Sequence, residues 1–375
     1  MTPEVIKTLQ DLPLTTKIFY NAASSFLFRH ITSTHNHIQS LQNLFDLSES
    51  SHASHVKKLH IEVKNAYSKR TGPETKAYLE ELVAVLPICV RNCASILRLV
   101  IVAPRKQCPS ENFRVQFLKV VENLFRYSRL DSLEDLCLQL PLADDFECLA
   151  TTPAWPGSPF LPQQLTKVMN NVRHLELAIQ DGANLPGGIS DSLAMYPNHQ
   201  HLRGLSTLLS KTTQLKSLSI ECANLLDFEF LDYSSFSTLE VFEIEAQFVS
   251  HKSLCLLFKN TLTSLSWIDL RCIDLKTGTW KEVLEQIERL LRLTTFRISL
   301  CGYDPDGESS HLCASDEQIE LEEDRPLNYI QSIYEPDFEA MKKVVIHVMR
   351  NRTAAGLPAM PKDKYDYIIS LPDIS

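Results

Sequence analysis

Hydrophobic residues recur along the chain in one short pattern: an apolar residue, two variable positions, an apolar residue, one variable position and a third apolar residue. The pattern begins at positions 56, 94, 133, 172, 215, 239, 265 and 293, and successive steps are 38, 39, 39, 43, 24, 26 and 28 residues. Its last two apolar positions are two residues apart, which places them on one face of a β-strand. The pattern therefore predicts eight strands in repeating units of two lengths.

The segments between these strands have the apolar spacing of helices. Apolar residues recur there every three or four positions, at Tyr78-Leu82-Val85, Phe117-Val121-Leu124, Leu205-Leu208 and Val283-Ile287-Leu290. One strand and one helix cannot bury both of their apolar faces alone, whereas stacked units form a parallel sheet with a layer of helices outside it. We therefore expect an α/β solenoid, with a final strand at Met341-Val344-Ile346.

The strand pattern resembles the leucine-rich repeat, L-x-x-L-x-L-x-x-N/C-x-L. The N/C position is matched only at Cys301, while Ala223, Gln247 and Ile273 occupy it in the neighbouring units. The resemblance implies an irregular repeat array, with parallel strands on a concave face and helices on a convex face. The alternative is an ordinary α/β domain with several leucine-rich strands.

Three turn-rich segments interrupt the repeat, at residues 150–160, 182–200 and 303–326. Loops inserted on one side of a solenoid often border its binding face. The predicted organisation is a short helical N-terminal segment at residues 1–45, an irregular repeat solenoid at residues 46–350 and a C-terminal tail at residues 351–375.

The N-terminal residues carry a second resemblance. Pro3-Glu4-Val5-Ile6, Leu12-Pro13-Leu14 and residues 17–31, which end in Phe28-Arg29-His30-Ile31, resemble an F-box and the junction that leads into leucine-rich repeats in F-box-like proteins of filamentous fungi. Residues 275–284, Leu-Lys-Thr-Gly-Thr-Trp-Lys-Glu-Val-Leu, are similar to a recurrent segment of the same family. A complete F-box is about a dozen residues longer, so this one is shortened or degenerate.

The resemblance implies a link to a cullin-RING ubiquitin ligase of the SCF type. An F-box docks an apolar helix surface on a Skp-type adaptor, and the candidates for that contact are Pro3, Val5, Ile6, Leu12, Pro13 and Leu14. The alternative is that this segment only caps the open end of the first repeat, whose apolar face must be covered.

Side chains that flank the inward apolar residues should project from the concave face and bind a protein target. Eight strands about 4.8 Å apart span roughly 34 Å, which suits a protein or peptide better than a metabolite. Trp267 is the candidate hot spot, although packing against the next unit would also explain it. The candidates are His60, Arg98, His174, Glu176, Glu221, Glu243, Glu245, Trp267, Asp269, Arg271 and Arg297, with Lys58, Glu62, Asp135, Gln139, Ser219 and Ser299 beside them.

Composition excludes several other functions. Only 10 of 375 residues are glycine, and neither a G-x-G-x-x-G nor a G-x-x-x-x-G-K-[ST] phosphate loop is present. A net charge of -9 disfavours non-specific binding to nucleic acid and to anionic membranes. No apolar run reaches 18 residues and no basic-then-apolar leader begins the sequence, so we expect an intracellular protein of the cytoplasm or nucleus, or both.

The residues that usually carry chemistry form no catalytic or metal-binding motif. The 10 cysteines include no C-x-x-C and are expected to be reduced core thiols, and paired histidines such as His35 and His37 lie in polar, loop-like sequence. We therefore predict no enzymatic activity, no cofactor and no metal; a hydrolase with an unrecognised site is the remote alternative. The predicted function is a subunit that links a protein target to a ubiquitin ligase, and the alternative is a repeat scaffold without that link.

Overall fold

A computed structural model describes residues 23–34, 38–63, 72–104, 111–141, 145–150, 162–179, 200–227, 236–313 and 330–359. Its contacts divide the chain into two compact units. The N-terminal unit comprises Met1–Ser190 and Thr207–Thr212, and the C-terminal unit comprises Asp191–Ser206 and Thr213–Ser375.

The described part of the N-terminal unit contains five parallel strands in chain order. From β1 to β5, each strand pairs with its neighbour in the chain. Their bounds are β1 (His30–Thr34), β2 (Lys58–Glu62), β3 (Arg98–Val102), β4 (Asp135–Gln139) and β5 (His174–Ile179). The helices that connect them are α1 (Ile38–Glu49), α2 (Gly72–Asn92), α3 (Glu111–Tyr127), α4 (Asp145–Ala150) and α5 (Pro162–Met169), and a 3-10 helix covers Ser51–His55.

The core of this unit lies between its strands and its helices. Leu59, Leu99, Leu136 and Leu175 occupy one register position of successive strands, and all four are at most 1% exposed. Against this row pack the helices, in which α1 contacts α2 and α2 contacts α3. Burial of aliphatic side chains in matching positions of every unit is the main force that stacks the units.

The C-terminal unit repeats the same arrangement of parallel strands and helices. Its strands are β6 (Ser217–Asp227), β7 (Val241–Val249), β8 (Trp267–Leu275), β9 (Thr295–Ser299) and β10 (Gly302–Tyr303), where β8 pairs with both β9 and β10. Its helices are α7 (His251–Asn260), α8 (Trp280–Ile287) and α9 (Glu335–Ala354), with a 3-10 helix at Ser310–Leu312; α6 (Gln200–Leu209) has residues in both units. The predicted class, an α/β leucine-rich-repeat-like solenoid, is confirmed.

Three strands of the C-terminal unit bend at the same register position. Ala246, Cys272 and Leu300 have φ of 56°, 53° and 52°, and each directly follows a position of the aligned set Glu245, Arg271 and Ser299. Residues other than glycine reach this left-handed region at a cost of about 1 kcal/mol or more. The bend turns the next residue of each strand, including the buried Gln247 and Cys301, toward the core.

The N/C position of the repeat pattern is used for hydrogen bonds between units. Gln247 Nε2 donates to the carbonyl oxygen of Ile220 (3.5 Å), and Cys301 Sγ donates to that of Leu270 (3.5 Å). Both bonds reach the third apolar position of the preceding unit. Gln247 therefore makes the hydrogen bond of the N/C position, although glutamine does not match the asparagine or cysteine of the pattern.

The segment Gly278-Thr279-Trp280 is explained by the start of α8. Gly278 has φ +75°, and the Thr279 hydroxyl accepts the backbone N–H of Glu282 while the Glu282 carboxylate accepts that of Thr279. The ring of Trp280 is fully buried, and its Nε1 donates to Gly302 O at 2.7 Å. Such a capping box satisfies two backbone N–H groups that a helix start would otherwise leave unbonded.

The strand predicted at Met341-Val344-Ile346 is wrong, because these residues lie in α9. Met341, Val344, Val345 and Val348 are buried at helical spacing, whereas Ile346 is 39% exposed. The helix ends in a Schellman motif, where Gly356 N–H bonds to Thr353 O and Leu357 N–H bonds to Arg352 O.

Two further details differ from the prediction. The second strand was placed two residues early, since Ile96, Leu99 and Ile101 are buried while Leu97 is 39% exposed. β1 was not predicted at all. Most of the three predicted insertions, residues 151–160, 182–199 and 314–326, lies outside the described residues.

Candidate functional site

The outward side of β2–β5, here called the N-terminal strand face, carries polar side chains in two register rows. One row contains Lys58, Arg98, Asp135 and His174, and the next contains His60, Val100, Cys137 and Glu176. His174 is exposed, and His60, Arg98 and Glu176 are half-buried. The four residues predicted for target binding in this unit therefore share one face.

Arg98 connects three strands of the N-terminal strand face. Its guanidinium lies 3.0 Å from Asp135 Oδ2 on β4 and 3.5 Å from Glu176 Oε2 on β5. Burial raises the pKa of Asp135, although Arg98 and His174 act in the opposite direction. The arrangement is an ion-pair network at a partly exposed surface.

The same face brings together the residue types of a catalytic triad, because Cys137 lies near Asp135 and His174. Burial, followed by the Glu176 carboxylate, raises the pKa of the Cys137 thiol to about 12. A catalytic cysteine needs a lowered pKa, since the thiolate is the nucleophile. Burial beside a carboxylate therefore disfavours the thiolate form of Cys137.

The outward side of β6–β9, here called the C-terminal strand face, carries the remaining predicted residues. Its rows are Val241, Trp267 and Thr295; Ser219, Glu243, Asp269 and Arg297; and Glu221, Glu245, Arg271 and Ser299. Arg271 and Arg297 are exposed, and Glu221, Glu243 and Glu245 are half-buried. The alternation of side chains along each strand thus placed all seven predicted residues on one side.

Two arginines organise the ion pairs of the C-terminal strand face. Arg271 lies 2.9 Å from Glu245 Oε2 and 3.6 Å from Asp269 Oδ1, and Arg297 lies 3.8 Å from Asp269 Oδ2. Asp269 is only 7% exposed because both arginines surround it. The Asp269 carboxylate therefore contacts the two arginines more than it contacts solvent.

The predicted hot spot Trp267 is partly covered by its own neighbour. The guanidinium carbon of Arg297 lies 5.1 Å from the centroid of the Trp267 ring, a cation–π contact. The indole Nε1 atom is buried and has no hydrogen-bond partner within the described residues. Trp267 thus supports Arg297 from beneath, and packing explains part of what the sequence attributed to binding.

Gln139 and the adaptor-facing candidates have different outcomes from the residues on the strand faces. Gln139 was expected on the surface but is 1% exposed, and its Nε2 donates to the carbonyl oxygen of Ala103. The six adaptor-facing candidates, Pro3, Val5, Ile6, Leu12, Pro13 and Leu14, lie outside the described residues.

A buried carboxylate in the C-terminal unit was not predicted from the sequence. Asp337 accepts hydrogen bonds from Tyr303 Oη (2.5 Å), Ser332 Oγ (2.7 Å) and the backbone N–H of Lys281 (2.7 Å). It joins the start of α9 to the start of α8. Burial raises the pKa of Asp337 despite these donors. The site is structural, because both carboxylate oxygens of Asp337 accept hydrogen bonds from within the chain.

A cleft of about 460 Å³ also escaped the sequence patterns. It lies at the turns that precede β7, β8 and β9, beside the end of α9. Its lining combines the 64% exposed Leu291 and two alanines with polar side chains. The lining residues are Glu240, Ser264, Ser266, Leu291, Arg292, Thr294, Asn351, Ala354 and Ala355.

Within the described ranges, no group of three or more His, Cys, Asp or Glu side chains could hold a metal ion. No helix of the described part combines the length and apolarity needed to cross a bilayer. Eight cysteines of these ranges are free thiols, and burial raises the pKa of Cys93 to about 12 and that of Cys255 to about 11.

Solved structures that are distantly similar to this chain include a tropomodulin domain and an internalin. The C-terminal domain of tropomodulin from Caenorhabditis elegans aligns at 14% identity and a TM-score of 0.22, over 52% of this chain and 78% of that one. An internalin from Listeria monocytogenes aligns at 9% identity and a TM-score of 0.30, over 91% of this chain and 86% of that one. At these scores neither similarity decides the fold, which rests on the strand register. No protein-family model and no curated protein matches the chain.

Proposed function

We propose that the chain is a non-enzymatic protein-interaction module whose two strand faces bind a protein target. The observation that supports this function is the presentation of ionic and aromatic side chains at the same register positions of successive strands. Four strands about 4.8 Å apart give each face a width of roughly 14 Å. That surface suits an extended segment or a protein edge.

The ion pairs of the two faces support recognition more than stability. Pairs at exposed positions such as Arg271 with Glu245 contribute about 0–1 kcal/mol to folding. Charged groups arranged across a contact surface select partners through complementary potentials. A repeat array that only needed to fold would gain little from these networks.

A capture experiment with charge exchanges tests this function. The chain is immobilised as wild type, with Lys58→Glu and Glu176→Lys on the N-terminal strand face, or with Glu243→Arg and Arg297→Glu on the C-terminal one. The matched control exchanges the exposed helical pair, Lys76→Glu with Glu80→Lys. Each variant keeps the net charge of the wild type.

Quantitative mass spectrometry of the captured proteins then separates the outcomes. We expect at least one strand-face exchange to abolish capture of partners that the helical exchange retains. Equal partner sets for all four proteins would contradict binding through the strand faces. Circular dichroism confirms that each variant is folded before capture.

The link to a ubiquitin ligase is the finer part of the proposal, and its support is the resemblance of residues 1–31 to a shortened F-box. A pull-down with a Skp-type adaptor tests it, comparing wild type with Leu12→Asp and Leu14→Asp. Thr15→Asp with Thr16→Asp adds the same charge as a control. Substitutions are preferable to deletion of residues 1–31, because β1 begins at His30. No adaptor binding by the wild type would leave a scaffold without the ligase link.

A further inference from the structure

The charges of the C-terminal strand face are divided unevenly among its strands. β6 and β7 carry three carboxylates, Glu221, Glu243 and Glu245, whereas the charged residue of β9 on this face is Arg297. β8, between them, carries Asp269 and Arg271. The face therefore changes from acidic to basic in the direction across the strands.

Within this gradient, ion pairs between described residues occupy Arg271 far more than Glu243 or Arg297. Arg271 is occupied by Glu245 at 2.9 Å and by Asp269 at 3.6 Å. Glu243 forms no ion pair with any residue of the described part of the chain. The side chain of Arg297 is 49% exposed, and its ion pair with Asp269 is long, at 3.8 Å.

The guanidinium of Arg297 is also held in position. It stacks on the ring of Trp267 at 5.1 Å, which restricts its rotamers without using its N–H donors. A guanidinium has five such donors in a planar fork that fits a carboxylate. Arg297 is thus oriented for an acidic group from outside the chain.

The distance between Glu243 and Arg297 sets the spacing of a complementary ligand. Glu243, Asp269 and Arg297 occupy one register row, so Glu243 and Arg297 are separated by two strand spacings, or about 10 Å. An extended chain in the polyproline II conformation rises about 3.1 Å per residue and has about three residues per turn, so side chains three positions apart lie on one side of it, about 9 Å apart. The separation of Glu243 and Arg297 therefore corresponds to about three residues.

We propose that the C-terminal strand face binds an extended segment of a partner protein that crosses the strands, with a lysine or arginine over Glu243 and an aspartate or glutamate over Arg297. The two charged residues of that segment are about three positions apart. This inference rests on the proposed function and gives it a partner chemistry. The charges of Glu243 and Arg297 specify the charges of this segment by complementarity.

Selection from a displayed library of random dodecapeptides against the full chain tests the proposal. We expect enrichment of peptides with a basic residue about three positions from an acidic one, by about two- to five-fold for each ion pair. Glu243→Arg should replace the basic residue of the selected peptides by an acidic one. Glu80→Arg, the same charge change on the exposed surface of α2, should leave the pattern unaltered. If Glu243→Arg does not fold, Glu243→Gln should still remove the basic preference.

The outcomes separate this inference from the proposed function. Peptides that lack the spaced charges, or a spaced pattern that Glu243→Arg leaves unchanged, would overturn the inference. Failure to enrich any peptide would also count against an extended ligand. Neutral or apolar peptides lost on exchange of Glu243 and Arg297 would overturn the inference alone and keep the strand face as a binding surface.

Discussion

The ring of His251 occupies the space that a side chain at Gly278 would need. A Cβ atom at Gly278 would lie 2.1 Å from His251 Nδ1 and 2.2 Å from its Cγ, and the glycine has φ +75°. His251 Nδ1 itself lies 3.1 Å from the carbonyl oxygen of Thr277. In the turn before α8, the imidazole of His251 therefore packs directly against the backbone of Gly278.

We predict that Gly278→Ala lowers the free energy of unfolding by more than about 2 kcal/mol, because backbone strain and a steric clash add together. Gly356→Ala is the matched control: it has φ +67° but open space around it, so only about 1 kcal/mol should be lost. Urea denaturation measures both. Equal losses would show that His251 does not restrict position 278.

The carboxylate of Asp337 should contribute more to stability than any surface ion pair. Asp337→Ala leaves the Tyr303 and Ser332 hydroxyls and the Lys281 N–H without their acceptor, so we expect a loss of about 2–4 kcal/mol in urea denaturation. Tyr303→Phe removes one of these donors and should cost about 1–2 kcal/mol. A loss below 1 kcal/mol for Asp337→Ala would contradict the connection between α8 and α9.

Asp274 should make the stability of the chain depend on pH. Burial, and then the charge of Asp304, raise the pKa of Asp274 from 3.8 to about 6. Because the folded pKa is the higher one, the stabilisation is complete below pH 3.8 and is lost as the pH rises through about 6. The free energy of unfolding of Asp274→Asn relative to wild type should therefore increase by about 1–2 kcal/mol from pH 5 to pH 8. A difference independent of pH would contradict the raised pKa.

Leu300 offers a site where glycine should stabilise. It has φ 52° and is 50% exposed, so its replacement relieves backbone strain and loses little packing. We predict that Leu300→Gly raises the free energy of unfolding by about 0.5–1 kcal/mol. Ser299→Gly, in the extended strand one residue earlier, should lower it. Thermal melting of both variants measures the sign, and a lower melting temperature for Leu300→Gly would contradict the strain.

The sequence predicted the parts of the fold that depend on local periodicity. Leu59 and Ile61 are two residues apart, so the strand and its buried side followed directly, and the same alternation placed His60 on the opposite side. Met341, Val344 and Ile346 imitate that spacing by chance, and the continuation to Val345 and Val348 shows the helix. β1 escaped because its five residues, His-Ile-Thr-Ser-Thr, contain one large apolar side chain.

The contacts that define the site could not be predicted from local patterns. Arg98 meets Glu176 across 78 residues, and Tyr303 meets Asp337 across 34. Such pairs depend on the register between strands and on the packing of α9. Composition and alternation identify the face on which charges lie, whereas the partner of each charge is set by the tertiary structure.

Site-specific photo-crosslinking tests the central claim, that the strand faces are the surfaces that contact a protein partner. A benzophenone side chain is introduced at His174 or Ser219 on the strand faces, or at Lys76 or Lys252 on α2 and α7, and the full-length chain is irradiated in a cell lysate. We predict that the same partner is joined to the chain from a strand-face position and from neither helical position. Crosslinks to a partner only from Lys76 or Lys252 would contradict the account.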